Sequence, residues 1–311
     1  MMTHTETDMS VELFGVLFKN RVMGASGTVG YGLELCDSLD ISRIGAVVTK
    51  GISARPKQGN PPPRIVETPG GLLNSIGLEN IGAERFIIDV LPELSRHDTN
   101  IIVNIFGETM SDYQRVASMF RGVTEVCALE VNLSCPNVKK GSIAFGRDPA
   151  TAGRLISKVK NSTDRPIIAK LTPNITDIVP LAQSVQRAGA DGVSLINTLI
   201  GMAVDVTEMR AVFARITAGL SGPAIKPVAL RMVWEAAASL TIPVIGIGGI
   251  SSANDALEFM MAGASAVQVG TANFIDPRVM GIIVDGMEQY MRYHSIHTLD
   301  SIQGIISRKK S

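Results

Sequence analysis

Asn132, Ser134 and Cys135 arrive together where an apolar run stops, in the stretch VCALEVNLSCPNVKKG over residues 126–141. A thiol among amide and hydroxyl groups can take up a proton, because the thiolate is the reactive form and its surroundings control it. A cysteine taken at random is more often a small buried hydrophobe. Here Asn132, Ser134, Pro136 and Asn137 argue against an apolar pocket. Lys50 and Lys170 end two further apolar runs. A fixed ammonium stabilises charge that develops on a planar, electron-rich ligand during reduction. The competing use is a structural ion pair, since an unpaired buried lysine is costly. Asn104, Asn132 and Asn197 supply donors and acceptors that match the amide edges of a flavin or a pyrimidine.

Those residues need a scaffold that brings strand ends together. Residues 126–133 are rich in β-branched and aliphatic side chains, as in a strand buried on both faces, and Pro136 ends the run. Residues 11–22 read as two short strands turning near Gly15, a hairpin that plugs the bottom of a barrel. Strands follow near residues 22, 45, 101, 126, 166, 191, 242 and 265, alternating with helical stretches such as 34–39, 83–95, 229–240 and 252–261. Ser111 is the expected cap of the helix after the third strand. Asp148 and Pro149 open the next helix, and Thr176 the one after that. This is the (β/α)8 pattern of a TIM barrel, with chemistry at the carboxyl ends of the strands. Two connections, 51–80 and the roughly thirty residues after Thr198, are too long for plain loops and read as active-site insertions.

On that scaffold Ser26, Lys50, Asn104, Asn132, Lys170 and Asn197 share one rim. Gly246, Gly248 and Gly249, then Gly270 and Thr271, follow the last two strands, where backbone N–H groups commonly bind phosphate. The same glycines could simply make tight turns. Gly246-x-Gly248 is not a dinucleotide fingerprint, because Ser251 stands in the third glycine's place. A mononucleotide fits better than NAD, and phosphate glycines, lysines and amides together point to FMN.

Composition removes other classes. With 311 residues, 45% of them hydrophobic, the chain can bury a large core. Lys plus Arg and Asp plus Glu are balanced at 29 each, so no basic excess recruits nucleic acid or anionic lipid. Cys36, Cys127 and Cys135 form no CxxC pair, which fits a reducing compartment and excludes a self-contained four-cysteine cluster. The four histidines, His4, His97, His294 and His297, are remote from the polar strand ends, and no metal site is expected. The longest apolar runs are broken by Pro and Gly, so no membrane span is expected.

VNLSCPNVKKG at 131–141, TKGIS at 49–53, NSIGLEN at 74–80, INT at 196–198, GIGGI at 246–250 and VGTA at 269–272 resemble the dihydroorotate dehydrogenase family, in order over nearly the whole chain. The resemblance implies a single FMN-binding barrel domain over 1–311 that oxidises dihydroorotate to orotate in pyrimidine synthesis. Cys135 would remove the proton from carbon 5 while hydride passes from carbon 6 to the flavin. Carried over position by position, Ser26, Lys50, Gly51, Asn104, Asn132, Lys170, Ile196, Gly222, Gly248, Gly249, Gly270 and Thr271 would contact FMN. Lys50, Asn74, Ser75, Ile76, Gly77, Leu78, Asn132, Asn197 and Thr198 would hold the substrate. Membrane-bound members carry serine in place of the cysteine and an N-terminal membrane segment, so the chain is similar to the soluble, cytoplasmic class 1.

NVKKGSIAFG at 137–146 and VGTANFIDP at 269–277 look like the 1B form. That form implies an iron–sulfur partner subunit carrying FAD, which passes electrons to NAD in a heterotetramer of two catalytic and two electron-transfer subunits. The competing readings are a fumarate-dependent class 1A enzyme, a barrel like that of dihydropyrimidine dehydrogenase, and a non-catalytic scaffold.

Overall fold

Eight apolar runs form parallel strands that close on themselves: β1 (Val22–Gly24), β2 (Ala46–Val48), β3 (Asn100–Ile105), β4 (Ala128–Asn132), β5 (Ile167–Lys170), β6 (Gly192–Leu195), β7 (Val244–Ile247) and β8 (Ala266–Val269). This computed structural model describes residues 7–134 and 145–308. Each strand pairs with the next in sequence, and β8 returns to β1 through Val267↔Val22 and Gln268↔Met23. The strands are buried at nearly every position, because helices cover the outside and side chains fill the inside.

The outer helices are α1 (residues 83–94), α2 (Met110–Met119), α3 (Pro149–Lys160), α4 (Val179–Arg187), α5 (Lys226–Ser239), α6 (Ala253–Ala262) and α7 (Val279–Tyr293). The first crossover departs from the expected alternation: 3-10 turns at Leu33–Leu35 and Ile41–Arg43 stand in place of a helix. Two expected starts are also corrected. Thr109, not Ser111, caps α2; its backbone is extended, and with Asp112 it forms a reciprocal capping box. Helix α4 begins at Val179 instead of Thr176, with the Asp177 carboxylate accepting from the Val179 N–H at 3.0 Å and Pro180 in the first turn. Asp148 caps α3 as expected, accepting from Thr151 N–H at 2.8 Å.

The expected hairpin closes the amino-terminal mouth. Val11–Leu13 pairs with Val16–Phe18 across a turn in which Phe14 and Gly15 both have positive φ. That pattern gives the twist two adjoining strands need. Leu13 and Phe18 pack on Met23, Ala46, Val48, Ile102, Ala128, Ile168, Ile245 and Ala266, the lower inward side chains of the barrel.

At the opposite mouth the two long connections do more than loop. They pair into one antiparallel sheet in the order Leu199–Met202, Thr217–Ser221, Gly71–Asn74, Ile65–Thr68. The seam sets Gly219 opposite Asn74 and Leu220 opposite Leu73. Gly71 is required there, since a Cβ would sit 1.9 Å from the Ser221 carbonyl oxygen. Leu73, Phe213 and Ala218 form a small core of their own beneath this roof.

Phe18 is fully buried. Phe18→Ala should therefore lower the unfolding free energy by about 3–5 kcal/mol, read from the shift in urea midpoint. A loss below about 1 kcal/mol would show that the hairpin merely rests on the barrel.

Candidate active site

The site is built upward from one carboxylate. Glu130 is completely buried in the middle of β4. Its Oε1 accepts from Asn104 Nδ2 of β3 at 2.7 Å and from Lys170 Nζ of β5 at 3.1 Å. Its Oε2 accepts from Ser194 Oγ of β6 at 2.7 Å and from Gln268 Nε2 of β8 at 2.8 Å. Burial alone would raise this carboxyl. The Lys170 ammonium and the bonds from Gln268, Ser194 and Asn104 outweigh burial and hold it below the usual carboxylate range.

Above this layer, the barrel mouth and the antiparallel roof enclose a cavity of about 1160 Å³. One wall is a chain of amides. Asn132 Oδ1 accepts from the Ser134 N–H and from Asn197 Nδ2, both at 3.1 Å. With its oxygen used twice, Asn132 offers a ligand its NH2 group. Tyr113 fixes the strand end by donating to the Asn132 carbonyl at 2.5 Å. Asn197 Oδ1 in turn accepts from Thr198 N–H at 2.8 Å, and Asn74 Nδ2 donates to the Gly219 carbonyl at 3.1 Å. Ser75 to Leu78 run along the same cavity; Asn60 grips Ser75 through two 3.0 Å bonds.

The two lysines differ. Lys170 is paired with Glu130, so the structural ion pair and the ligand-facing position are both realised. Lys50 forms no ion pair among the described residues and lies 5.8 Å from the Tyr31 ring centroid. Among the described residues Asn104 Oδ1 is buried without a partner, and it borders Gly51, where a Cβ would come within 3.1 Å of it. An orphaned acceptor on a cavity wall calls for a ligand N–H or O–H.

The far end of the cavity is glycine and hydroxyl. Gly222, Gly248 and Gly249 have positive φ, and a Cβ on Gly249 would meet the Gly222 carbonyl oxygen at 2.8 Å. Thr271 Oγ1 donates to Ser221 Oγ at 2.8 Å beside Gly270. Nearby Lys226 is committed to Asp255 and Glu258, the first of which holds its ammonium above the usual range. This end thus presents backbone N–H and O–H donors, a setting for phosphate.

Ser26, Lys50, Gly51, Asn74, Ser75, Ile76, Gly77, Leu78, Asn104, Asn132, Lys170, Ile196, Asn197, Thr198, Gly222, Gly248, Gly249, Gly270 and Thr271 all line this one cavity. Cys135 lies outside the described residues. Gly246 is not at the site; it lets the Phe259 ring of α6 pack against β7, where a Cβ would be 2.5 Å away. Sequence reasoning missed Glu130, Ser194 and Gln268, polar residues in the middle of apolar strands. It also missed Asn174, which donates to Thr172 Oγ1 at 3.1 Å and to the Thr198 carbonyl at 3.0 Å.

Fold and cavity together define a (β/α)8 barrel of the enzyme type, with its ligand site at the carboxyl ends of the strands. The family model for dihydroorotate dehydrogenase matches residues 8–291. Relatives named dihydroorotate dehydrogenase B (NAD(+)), catalytic subunit, from Geotalea daltonii and Geotalea uraniireducens are each 54% identical over 96% of this chain and 98% of the relative. One of the same name from Geobacter sulfurreducens is 51% identical over the same shares. The chain belongs to the dihydroorotate dehydrogenase family. Among the described residues no helix is long and apolar enough to cross a membrane.

Because the folded Glu130 carboxyl lies below its unfolded value of about 4.3, the stability it contributes is present above that pH. It is lost as the pH falls from there through the lower folded value. Glu130→Gln cannot titrate, so its unfolding free energy should decline less steeply than the parent's in this acid window, by up to about one proton's worth of slope. Equal slopes in urea titrations would show that Glu130 is not ionised in the folded protein.

Proposed function

We propose that this chain is the catalytic subunit of an NAD-linked dihydroorotate dehydrogenase, oxidising (S)-dihydroorotate to orotate in de novo pyrimidine (UMP) synthesis. The observation that carries the reading is that every binding residue the family resemblance assigns, from Ser26 to Thr271, lines the same cavity. On this reading residues 1–311 are one FMN-binding barrel in the cytoplasm. The chain acts with a partner subunit holding FAD and an iron–sulfur cluster, two copies of each forming the complex. The relatives' name, an NAD(+) enzyme's catalytic subunit, supports the partner.

The residues present fit FMN. Gly222, Gly248, Gly249, Gly270 and Thr271 would hold the phosphate. Ser26, Lys50, Gly51, Asn104, Asn132, Lys170 and Ile196 would surround the ring, with the orphaned Asn104 oxygen accepting a ring N–H. Bound FMN would supply the acceptor for the hydride of carbon 6. Asn74, Ser75, Ile76, Gly77 and Leu78, with Lys50, Asn132, Asn197 and Thr198, would orient the substrate through amide and backbone donors. The roof sheet covers that side of the cavity. Cys135, one residue beyond Ser134 at the end of β4, would take the carbon 5 proton.

Flavin released from the purified protein should be FMN, and dihydroorotate should bleach it and drive dye reduction. NADH should form only after the partner subunit is added, because the chain carries no GxGxxG fingerprint and no cluster-spaced cysteines. Release of FAD, or robust NAD-dependent turnover by the chain alone, would overturn this reading.

A thiol must lose its proton to act as a base, so reduction of the bound flavin should accelerate with rising pH. Cys135→Ala should slow that reduction on the order of a hundredfold or more in stopped-flow measurements. An unchanged rate would remove Cys135 from the chemistry.

A further inference from the structure

The four bonds to Glu130 do not all serve the same end. Ser194 and Gln268 tie it to β6 and β8 and have no place on the cavity wall, whereas Asn104 and Lys170 both line the cavity. By taking Asn104 Nδ2, Glu130 turns the other face of that amide, the unpartnered Oδ1, into a fixed acceptor. By taking one N–H of Lys170 at 3.1 Å, it anchors the ammonium and balances its charge. Among the described residues no second carboxylate pairs with Lys170. The remaining charged groups on the cavity wall are Lys50, Arg147, Arg215 and the pairs Lys57–Glu108 and Arg64–Glu79.

We propose that Glu130 is a positioning residue for the redox step: it fixes the directions of Lys170 and Asn104 and, as the counter-charge of Lys170, sets how readily the site takes electrons into the bound ring. The inference rests on the flavin reading above. Oxidation of the substrate sends two electrons to the ring as hydride from carbon 6, while the carbon 5 proton leaves separately to the base. The reduced ring therefore gains negative charge. An ammonium beside it favours that state, and a carboxylate 3.1 Å behind the ammonium moderates the effect.

Glu130→Gln separates charge from geometry. The amide oxygen can still accept from Asn104 and Lys170. The new NH2 also has an acceptor waiting, because among the described residues Gln268 Oε1 is buried without a partner and an amide flip lets the two side chains bond.

Sulfite affinity of the oxidised, flavin-loaded protein is the readout, since adduct formation places negative charge on the ring and bleaches its visible absorption. At constant, mildly acid pH, Glu130→Gln should bind sulfite on the order of tenfold more tightly than the parent, the Lys170 charge being no longer balanced. Lys170→Met should bind it less tightly, and adding Glu130→Gln to Lys170→Met should change little further. Unchanged or weaker affinity in Glu130→Gln, or an equal effect of Glu130→Gln when Lys170 is absent, overturns the proposal.

Should Glu130→Gln fail to fold or to hold flavin, the double variant, which buries no unpaired charge, must do both. Its failure too would make Glu130 a strut and sink the inference. A parent protein that yields no flavin would sink the flavin reading instead, so the two failures are told apart.

Discussion

A carboxylate at zero exposure is the constraint on which this barrel depends. Removing Glu130 from water costs several kcal/mol even after relaxation, and only close, complete hydrogen bonding offsets that. Donors on β3, β5, β6 and β8 provide it. The consequence is a barrel interior in three chemically different layers. Below lies the aliphatic floor of Met23, Val48, Ile102, Ile168 and Ile245 sealed by the hairpin. In the middle lies the polar knot around Glu130, and above it the cavity. Strand ends that carry binding groups are thereby fixed to one another through a single side chain.

The second constraint acts from the other side. Loops that carry ligand-binding groups need a rigid support, because small displacements weaken every hydrogen bond they make. Here the support is a sheet made from two connections far apart in sequence, and its register sets Asn74 opposite Gly219, beside Thr198. Asn174 ties the start of this arm to the end of β5, through the Thr198 carbonyl and the Ile200 N–H. Residues 74–78 and 197–198 therefore sit on paired strands or next to them, and the cavity is shaped by backbone ladders on both faces.

Much of this was legible in the sequence, for a physical reason. Parallel strands buried on both faces must be continuous apolar runs, and eight of them stand out between residues 22 and 269. The polar residues that end them mark the cavity: Ser26, Lys50, Asn104, Asn132, Lys170 and Asn197 all reach it, whereas Gly246 does not. What escaped were features defined by contact and not by local pattern. Glu130, Ser194 and Gln268 are single polar residues inside apolar runs, and only closure of the barrel shows that they converge. The period-two spacing from Glu130 to Asn132 was the available hint. Pairing of 71–74 with 219–221 carries no local signature, since register across so long a loop is set by tertiary packing. Ser111 failed as a cap because Thr109 and Asp112 satisfy each other first. Cys127, eight residues before Cys135, lies at the barrel floor, where burial pushes its thiol up to about 12 and leaves it inert at neutral pH.

Charge around the cavity is distributed so that anions are oriented more than they are trapped. Lys57 and Arg64 are neutralised by Glu108 and Glu79, Lys226 by Asp255 and Glu258, and Lys170 by Glu130. Among the described residues Lys50 has no ion pair and lies against the face of Tyr31. An anionic ligand thus meets Lys50 at the inner wall, with Arg147 and Arg215 elsewhere on the cavity wall, and its other contacts are amide, hydroxyl and backbone donors. A hydrogen bond between neutral groups contributes about 0.5–1.5 kcal/mol and one to a charged group about 1.5–3. A site built from many donors of moderate strength fixes direction without a deep electrostatic well. That suits a reaction whose substrate and product carry the same charge and differ by two hydrogens. Since binding both equally tightly would slow release without speeding chemistry, selectivity must lie in the few groups that respond to charge developing on the ring. On the proposed flavin reading those groups are Lys50 and the Lys170–Glu130 pair.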